Sequence, residues 1–220
     1  AGLRQHGGPG KRPLGRLSKK GVGAEGAPSY TGAMPRSAPL RRATFEEFLA
    51  LEAASSERHE FVEGLVFAMA GGTDVHNRLV ARLLLRLLPK AEAKGCEAFA
   101  EGMLLKVGEA AYYPDLFVTC EEPLNGAPYK ETACLVVEVL SPGTEAIDRG
   151  EKLLRYRGLP GLQAYVLVSQ EARRVEVYRR LPDGGWRYEV VEAGQVELPC
   201  VDAVLDLEEL YRGLPLGPRP

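Results

Sequence analysis

The sequence predicts an α/β domain in which a central mixed β-sheet is flanked by helices. Two observations lead to this fold class. Segments with helical and strand-like periodicity follow one another in the order helix, strand, helix, strands, helix, strands. The run Leu135-Val136-Val137 is continuously apolar, which is typical of a strand buried on both faces of a sheet. The 220 residues suffice for one such domain with a sizeable core.

The first predicted helix opens with a capping box, because Thr44 precedes Glu47 by three positions. The apolar residues of the second helix recur at helical spacing. The predicted elements of this half are a helix from Thr44 to about Ala54, a strand from Glu60 to Met69 ended by Gly71-Gly72, a helix capped by Thr73 or Asp74 and ended by Gly95, and strands at Glu97–Val107, Pro114–Cys120 and Ala133–Leu140.

The second half begins with a turn at Ser141-Pro142-Gly143-Thr144, which can cap the helix that follows. Pro182-Asp183-Gly184-Gly185 is typical of a hairpin connection. The predicted elements are a helix from about Glu145 to Arg157, strands at Gln163–Val168, Arg173–Arg180 and Trp186–Val191, and a short closing helix at Asp206–Tyr211.

Charge divides the chain unevenly. Residues 1–42 hold nine of the 28 Lys and Arg and one of the 30 acids, so residues 43–220 carry a net charge of −10. The Gly/Pro-rich, basic stretch 1–42 is expected to be a disordered extension or an artificial leader, and residues 43–220 the folded domain. A basic arm that grips phosphates is the alternative. The acidic domain argues against a passive DNA-binding protein, but less against a nuclease whose metal ions offset charge locally.

The cysteines and the hydropathy of the chain bear on the cellular compartment in which the protein is expected. The four cysteines are widely spaced and three lie in or beside strand-like runs, which favours buried, reduced thiols in a cytoplasmic protein. The longest apolar stretches are far too short to cross a bilayer, so no membrane association is expected. We see no charged-then-apolar leader and therefore do not expect export.

Three polar groups stand out against the predicted core. Asp115 and Glu138 emerge from runs that read as buried strands, and Lys152 lies on the predicted helix that follows. Ionised carboxylates rarely lie in buried strands unless they are paired or bind a metal. Singly, Asp115 also fits a turn-forming role and Lys152 a solvated helix face. Together the three predict a site for a hard cation facing a phosphate.

The chemistry of phosphodiester hydrolysis explains why these residue types would occur together. One or two Mg²⁺ or Mn²⁺ ions position a water and relieve charge on the phosphate. We expect Asp115 to bridge the metals, Glu138 to complete the ligand set and the Val139 carbonyl to add an oxygen. Lys152 would either orient and deprotonate the attacking water or stabilise the developing charge.

Five further residues are candidates for the same site. Glu60 would hold a second metal or orient Lys152, unless it forms a structural salt bridge. His76 would contact phosphate or act as an outer base, with helix packing or capping as the alternative. Ser141 and Thr144 would build the turn and cap the helix, or contact a phosphate. Arg149, in the same segment, is a candidate for substrate binding.

These residues resemble the PD-(D/E)XK nuclease superfamily, and most closely its branch of restriction-endonuclease-like proteins of uncertain biology. The resemblance covers about residues 44–180 and is most specific over 134–156. It implies a restriction-endonuclease-like core and the catalytic roles of Asp115, Glu138 and Lys152. The matching runs are His59-Glu60-Phe61-Val62-Glu63-Gly64, His76, Pro114-Asp115, Glu138-Val139-Leu140-Ser141-Pro142-Gly143-Thr144, and Asp148-Arg149-Gly150-Glu151-Lys152 with Tyr156.

The resemblance implies a Mg²⁺- or Mn²⁺-dependent endonuclease that cuts DNA to leave a 5′-phosphate, and a homodimer. Two departures matter: Leu140 takes the lysine's usual place two positions after Glu138, and Gly143 replaces a serine of the turn. Activity would therefore depend on Lys152 acting from the helix. A catalytically silent binding or assembly module and a hydrolase of a small phosphorylated substrate are the rival functions.

Overall fold

A computed structural model of the chain describes residue 36 and residues 38–69, 71–122 and 126–217. Its helices are α1 (Phe45–Ala54), α2 (Asp74–Ala93), α3 (Glu145–Ile147), α4 (Leu153–Tyr156) and α5 (Leu207–Tyr211), with a π-helical turn at Asp148–Lys152 and a 3-10 turn at Pro199–Val201. Its strands are β1 (Arg41–Arg42), β2 (His59–Val62), β3 (Leu65–Ala68), β4 (Glu97–Ala100), β5 (Leu104–Val107), β6 (Ala110–Tyr112), β7 (Leu116–Thr119), β8 (Tyr129–Lys130), β9 (Leu135–Leu140), β10 (Ala164–Ser169), β11 (Val175–Arg180), β12 (Trp186–Val191), β13 (Gln195–Leu198) and β14 (Ala203–Asp206).

The strands form two six-stranded sheets and one small pair among the described residues. The first sheet has the order β1-β3-β2-β6-β5-β8, the second the order β12-β11-β10-β9-β7-β4, and β13 pairs with β14. Strands β9 and β10 are parallel, whereas the other neighbours in the second sheet are antiparallel. The predicted central mixed sheet with flanking helices is therefore confirmed.

Strand β9 lies at the centre of the second sheet and is buried along its whole length. Its side chains alternate between two cores because successive strand residues face opposite sides. Leu135, Val137 and Val139 pack in the core that contains the apolar face of α2. Val136 and Leu140 pack in the other core, towards the first sheet. Glu138, which alternates with them, therefore faces the side covered by the first sheet and by α4.

Local signals predicted the starts of three helices correctly. The Thr44–Glu47 capping box is present at α1. The Thr73 hydroxyl caps α2, and Asp206 caps α5. Strands β10, β11 and β12 lie at the predicted places. Each of these elements is specified by residues close in sequence, which is why the pattern suffices.

The single strand predicted from Glu60 to Met69 is wrong, because the structure forms a hairpin of β2 and β3 there. Glu63 and Gly64 adopt φ angles of 49° and 79°. Two consecutive residues with positive φ form the tight turn that joins antiparallel strands. The hairpin leaves Glu60 on β2, where it can reach the centre of the domain.

The single strand predicted over Glu97–Val107 is also wrong. Strands β4 and β5 belong to different sheets, and the chain leaves the first of them at Glu101, whose φ is 52°. A non-glycine residue in the left-handed region ends a regular strand. The alternating pattern continues across this break, so it does not reveal the change of sheet.

The helix predicted from Glu145 to Arg157 is interrupted by the π-helical turn. Asp148 and Lys152 begin and end this turn, and both are buried. The predicted turn is present, because the Ser141 carbonyl accepts from the backbone N–H groups of Thr144 and Glu145. Thr144 is the N-cap residue, but its side chain makes no capping hydrogen bond; its hydroxyl lies 3.0 Å from that of Ser141 instead. Single π turns inside helices often occur at functional sites.

The cysteines are paired, so the prediction of reduced thiols is wrong. Cys96 and Cys120 form one disulfide and Cys134 and Cys200 the other, with Cα separations of 4.1 and 5.9 Å. The first pair follows from the register of β4 and β7, whose residues Glu97 and Thr119 are partners. The expected cytoplasmic location, which rested partly on reduced thiols, stays a prediction.

The fold extends before residue 43, because β1 pairs with β3. Of the extension expected to be disordered over residues 1–42, residues 1–35 and 37 lie outside the described residues. Among the helices that the structure describes, none combines the length and apolar character needed to span a membrane.

Candidate active site

An open cleft of about 840 Å³ lies where the start of α2, the end of β9 and the π-helical turn meet. The structure brings most of the predicted site residues into it. These are Glu60, His76, Asp115, Glu138, Val139, Ser141, Thr144 and Lys152.

Asp115 and Glu138 are neighbours because of strand register. Leu116 pairs with Val137 across β7 and β9, so the residues just beyond this pair lie side by side. The Asp115 backbone N–H donates to Glu138 Oε2 at 3.3 Å, and the Val139 N–H donates to Asp115 Oδ2 at 2.6 Å. These reciprocal bonds fix the two carboxylates relative to each other.

Glu138 is buried at the floor of the cleft. Its Oε1 accepts hydrogen bonds from Lys152 Nζ at 3.1 Å and from the Tyr156 hydroxyl at 3.0 Å. Burial raises the pKa of Glu138 to about 8; the positive charge of Lys152 opposes this rise, and the negative charges of Asp115 and Asp148 add to it. The pKa of Glu138 is therefore strongly perturbed, as is common for ionisable residues at functional sites.

Lys152 lies among three carboxylates. Its Nζ is 3.1 Å from Glu138 Oε1, 3.2 Å from Glu60 Oε1 and 3.2 Å from Asp148 Oδ1. Burial alone lowers the pKa of Lys152, but the three carboxylates outweigh it and raise this pKa well above its usual value. The acidic groups around Nζ thus favour the ammonium form of Lys152 over the neutral amine. Asp148 and Lys152 begin and end the π-helical turn, and their four-residue separation places both side chains on one face.

Glu60 joins this cluster to a residue that sequence reasoning missed. While its Oε1 contacts Lys152, its Oε2 lies 2.8 Å from Nη1 of Arg36. Arg36 also bonds Glu151 at 2.9 Å and lies 4.7 Å from the centre of the Phe67 ring. No local pattern in the basic segment 1–42 distinguishes Arg36 from its other basic residues, so the sequence carries no signal for this contact.

His76 lies at the opposite side of Asp115. Its Nε2 is 3.3 Å from Asp115 Oδ1 and 3.4 Å from Oε1 of Glu101. Burial lowers the pKa of His76, but the two carboxylates outweigh it and raise this pKa above its usual value. Glu101 was not among the predicted site residues, because it lay within the strand predicted over Glu97–Val107.

The structure does not bring Arg149 into the main cleft. Its guanidinium pairs with Glu176 at 2.8 Å and with Glu145. Ser141 and Thr144 line the cleft and bond each other across the turn that begins the helix.

The lining of the cleft fits a divalent cation. Among the described residues, six Asp and Glu side chains line it against three Lys and Arg side chains, Arg36, Arg58 and Lys152. His76, Glu101 and Asp115 offer ligand atoms that all lie within 4.8 Å of one another. Carboxylate oxygens and an imidazole nitrogen are ligands for divalent metals. Even with Glu138 protonated, the acids outnumber these cations, and a bound divalent cation would offset the remaining negative charge beside a phosphodiester.

Two curated proteins from Synechocystis sp. are similar to this chain. It is 34% identical to slr1290 over 182 residues, which cover 81% of this chain and 96% of that protein. It is 36% identical to sll1609 over 149 residues, which cover 65% of this chain and 84% of that protein.

A solved structure shares the fold. The crystal structure of “a putative nuclease belonging to DUF820” from Anabaena variabilis superposes with a TM-score of 0.62 at 19% identity, covering 74% of this chain and 97% of that one. The Uma2 family model, described as “Putative restriction endonuclease”, matches residues 45–215. The chain therefore belongs to the Uma2 family, within the restriction-endonuclease-like superfamily that the motifs of Asp115, Glu138 and Lys152 predicted.

Proposed function

We propose that this protein is a divalent-metal-dependent endonuclease that hydrolyses phosphodiester bonds in DNA. The observation that carries the proposal is the contact of Lys152 with Glu138 beside Asp115, in an open and acid-rich cleft. Family membership and the fold of the structural neighbour support nuclease chemistry at a coarse level.

Bound Mg²⁺ or Mn²⁺ would supply an activated water and relief of charge at the scissile phosphate. Asp115 is the residue best placed to hold it, since Oδ2 is fixed by the Val139 N–H and Oδ1 faces His76. Glu138 and the Val139 carbonyl are the other donors expected from the motif.

Lys152 would act through its charge. Three carboxylates keep it protonated, so it is poorly suited to accept a proton from water. An ammonium beside the reacting phosphate stabilises the charge that develops in the transition state, and this kind of effect is often a large part of catalysis. Of the two roles expected for Lys152, the electrostatic one is favoured.

Glu60, Asp148 and Tyr156 would serve as positioning residues. Glu60 and Asp148 surround the Lys152 ammonium, whereas the Tyr156 hydroxyl fixes Glu138 from the side of α4. A homodimer, by analogy with enzymes that cut both strands, and a cytoplasmic location belong to the proposal as expectations only.

The test is cleavage of supercoiled plasmid by tag-free protein in Mn²⁺ or Mg²⁺, with EDTA and Glu138→Gln as controls. We expect nicked and linear DNA only with wild-type protein and a metal. Hydrolysis of nucleotides without DNA cleavage would instead indicate a small-substrate phosphohydrolase. Absence of both activities, with no Mn²⁺ binding that depends on Asp115, would indicate a catalytically silent module.

A further inference from the structure

His76, Glu101 and Asp115 come from three separate parts of the fold and meet at the mouth of the cleft. His76 is in the first turn of α2, Glu101 follows β4, and Asp115 precedes β7. Their ligand atoms all lie within 4.8 Å of one another. The Glu101 side chain is 46% exposed, so an ion can reach this group from solvent.

The backbone holds the two carboxylates together. Glu101 adopts a φ of 52°, a conformation that costs a non-glycine residue free energy and is enriched at functional sites. Its N–H donates to the Asp115 carbonyl at 3.2 Å. The strained residue is therefore tied directly to the acid that the motif identifies.

The position of the imidazole is fixed as well. The backbone N–H of His76 donates to the Thr73 hydroxyl at 3.1 Å, and this hydroxyl donates to Gln170 Oε1 at 2.6 Å, so the helix start that carries the imidazole is held in place. Gly72 leaves room for the ring, because a Cβ at that position would lie 2.7 Å from His76 Cδ2. The loop before α2 is thus shaped around this side chain.

The ligand atoms on the two sides of Asp115 differ in what else they bind. Glu138 Oε1 already accepts from Lys152 and Tyr156, and its Oε2 accepts from the Asp115 N–H. On the other side, Asp115 Oδ1 and Glu101 Oε1 both face a single imidazole nitrogen. An imidazole with two carboxylates suits first-row transition metals, whereas Mg²⁺ and Ca²⁺ prefer oxygen alone.

We propose that His76, Glu101 and Asp115 form a divalent-cation position that selects Mn²⁺ and similar transition metals over Mg²⁺. It deepens the proposed function, on which it rests for the role of the ion, by adding His76 and Glu101 to the metal ligands that the sequence resemblance implies. His76 thereby becomes a metal ligand instead of a phosphate contact or base.

The test uses the full, tag-free chain without nucleic acid, and Mn²⁺ and Mg²⁺ as probes. Calorimetry should show Mn²⁺ binding at least about tenfold tighter than Mg²⁺ binding. His76→Gln and Glu101→Gln should each weaken Mn²⁺ binding by about 10–100-fold. Glu57→Gln removes the same charge as Glu101→Gln from another lining residue and should leave the affinity within a few-fold of wild type.

Pulsed electron paramagnetic resonance of bound Mn²⁺ gives a second readout. Nitrogen coupling should be present in the wild type and absent in His76→Gln. It should persist in His59→Gln, since the His59 ring bonds Glu52 in a different part of the domain. Nitrogen coupling that survives His76→Gln, or equal affinities for Mn²⁺ and Mg²⁺, would overturn the inference. If the protein gives either of these results but still cleaves DNA, the inference fails and the proposed function stands. If Mn²⁺ binds as expected but DNA is not cleaved, the inference stands and the proposed function fails.

Discussion

The Lys152 ammonium lies 3.1 Å from the Glu138 carboxylate, although the two residues come from a helix and a strand. The nuclease motif places its lysine two positions after the glutamate on the same strand, and Leu140 occupies that position here. Leu140 packs in the apolar core on the same face of β9 as Glu138. The helix therefore supplies the charge that the strand lacks.

Removal of the Tyr156 hydroxyl should destabilise the fold, because this hydroxyl donates to buried Glu138 Oε1 at 3.0 Å. We expect Tyr156→Phe to lower the free energy of unfolding by about 1–3 kcal/mol. Urea denaturation measures this change. Tyr129→Phe, in the separate core around Phe45, is the matched control, and an equal loss in both variants would argue against the Glu138 contact.

Replacement of Arg36 should cost stability in a pH-dependent way. Arg36→Met removes the guanidinium that pairs with both Glu60 and Glu151, and we expect a loss of about 2 kcal/mol at neutral pH. Although burial opposes it, the contact with Arg36 lowers the pKa of Glu151. A lowered pKa contributes stability above the ordinary value of 4.5 that is lost as the pH falls through the lowered pKa.

The difference between wild type and Arg36→Met should therefore shrink as the pH falls through the acid range. Urea denaturation from pH 7 to pH 3 checks it. Arg41→Met, at an exposed position of β1, should change stability by less than about 0.5 kcal/mol. A difference that stays constant with pH would contradict the role of the Arg36–Glu151 pair.

A methyl group at residue 72 should displace His76. Gly72→Ala would place its Cβ 2.7 Å from His76 Cδ2, whereas a Cβ on Gly71 would meet nothing within 4 Å. We expect Gly72→Ala to weaken Mn²⁺ binding about as much as His76→Gln does, and Gly71→Ala to leave it unchanged. Calorimetric titration of both alanine variants distinguishes the two cases. Equal Mn²⁺ affinities of the two alanine variants would show that the position of the His76 ring does not affect Mn²⁺ binding.

His76 should make the stability of the metal-free protein depend on pH. Although burial opposes it, Asp115 and Glu101 raise the pKa of His76 above 6.5. A raised pKa means that the folded state binds the proton more tightly, so this stabilisation is complete below pH 6.5 and is lost as the pH rises through the raised pKa.

As the pH rises from 6.5 through the raised pKa of His76, the denaturation midpoint of the metal-free wild type should fall relative to that of His76→Gln. Mn²⁺ binding should strengthen over the same window, because the ion competes with the proton for the imidazole. A wild-type profile parallel to that of His76→Gln would contradict the contact with Asp115 and Glu101.

Those parts of the site that depend on strand pattern and local caps were predictable. The buried run around Glu138 and the Pro114-Asp115 pair identified two neighbouring strands, and Thr73 identified the start of α2. Asp148 and Lys152 are four positions apart, which is the spacing of residues on one face of a helix. The π turn that directs them inward left no periodic signal.

The remaining parts depend on contacts between distant segments. Arg36 reaches Glu151 across 115 residues, and nothing near either residue in the sequence marks that pair. Glu101 lies beside Asp115 because the chain passes from one sheet to the other between β4 and β5. The strand pattern continues through this point in the sequence, so it does not reveal the change of sheet. The pairing of Cys96 with Cys120 likewise follows from strand register rather than spacing.

The most direct test of the nuclease mechanism is the rate of duplex DNA cleavage in Mn²⁺ by Lys152→Met and by Asp115→Asn, measured beside Mn²⁺ affinity and thermal melting. Lys152→Met should bind Mn²⁺ yet cleave about 10²–10³-fold more slowly than wild type, because it lacks only the charge near the phosphate. Asp115→Asn should lose both binding and cleavage. Cleavage at the wild-type rate by folded Lys152→Met would contradict the assignment of Lys152 to the active site.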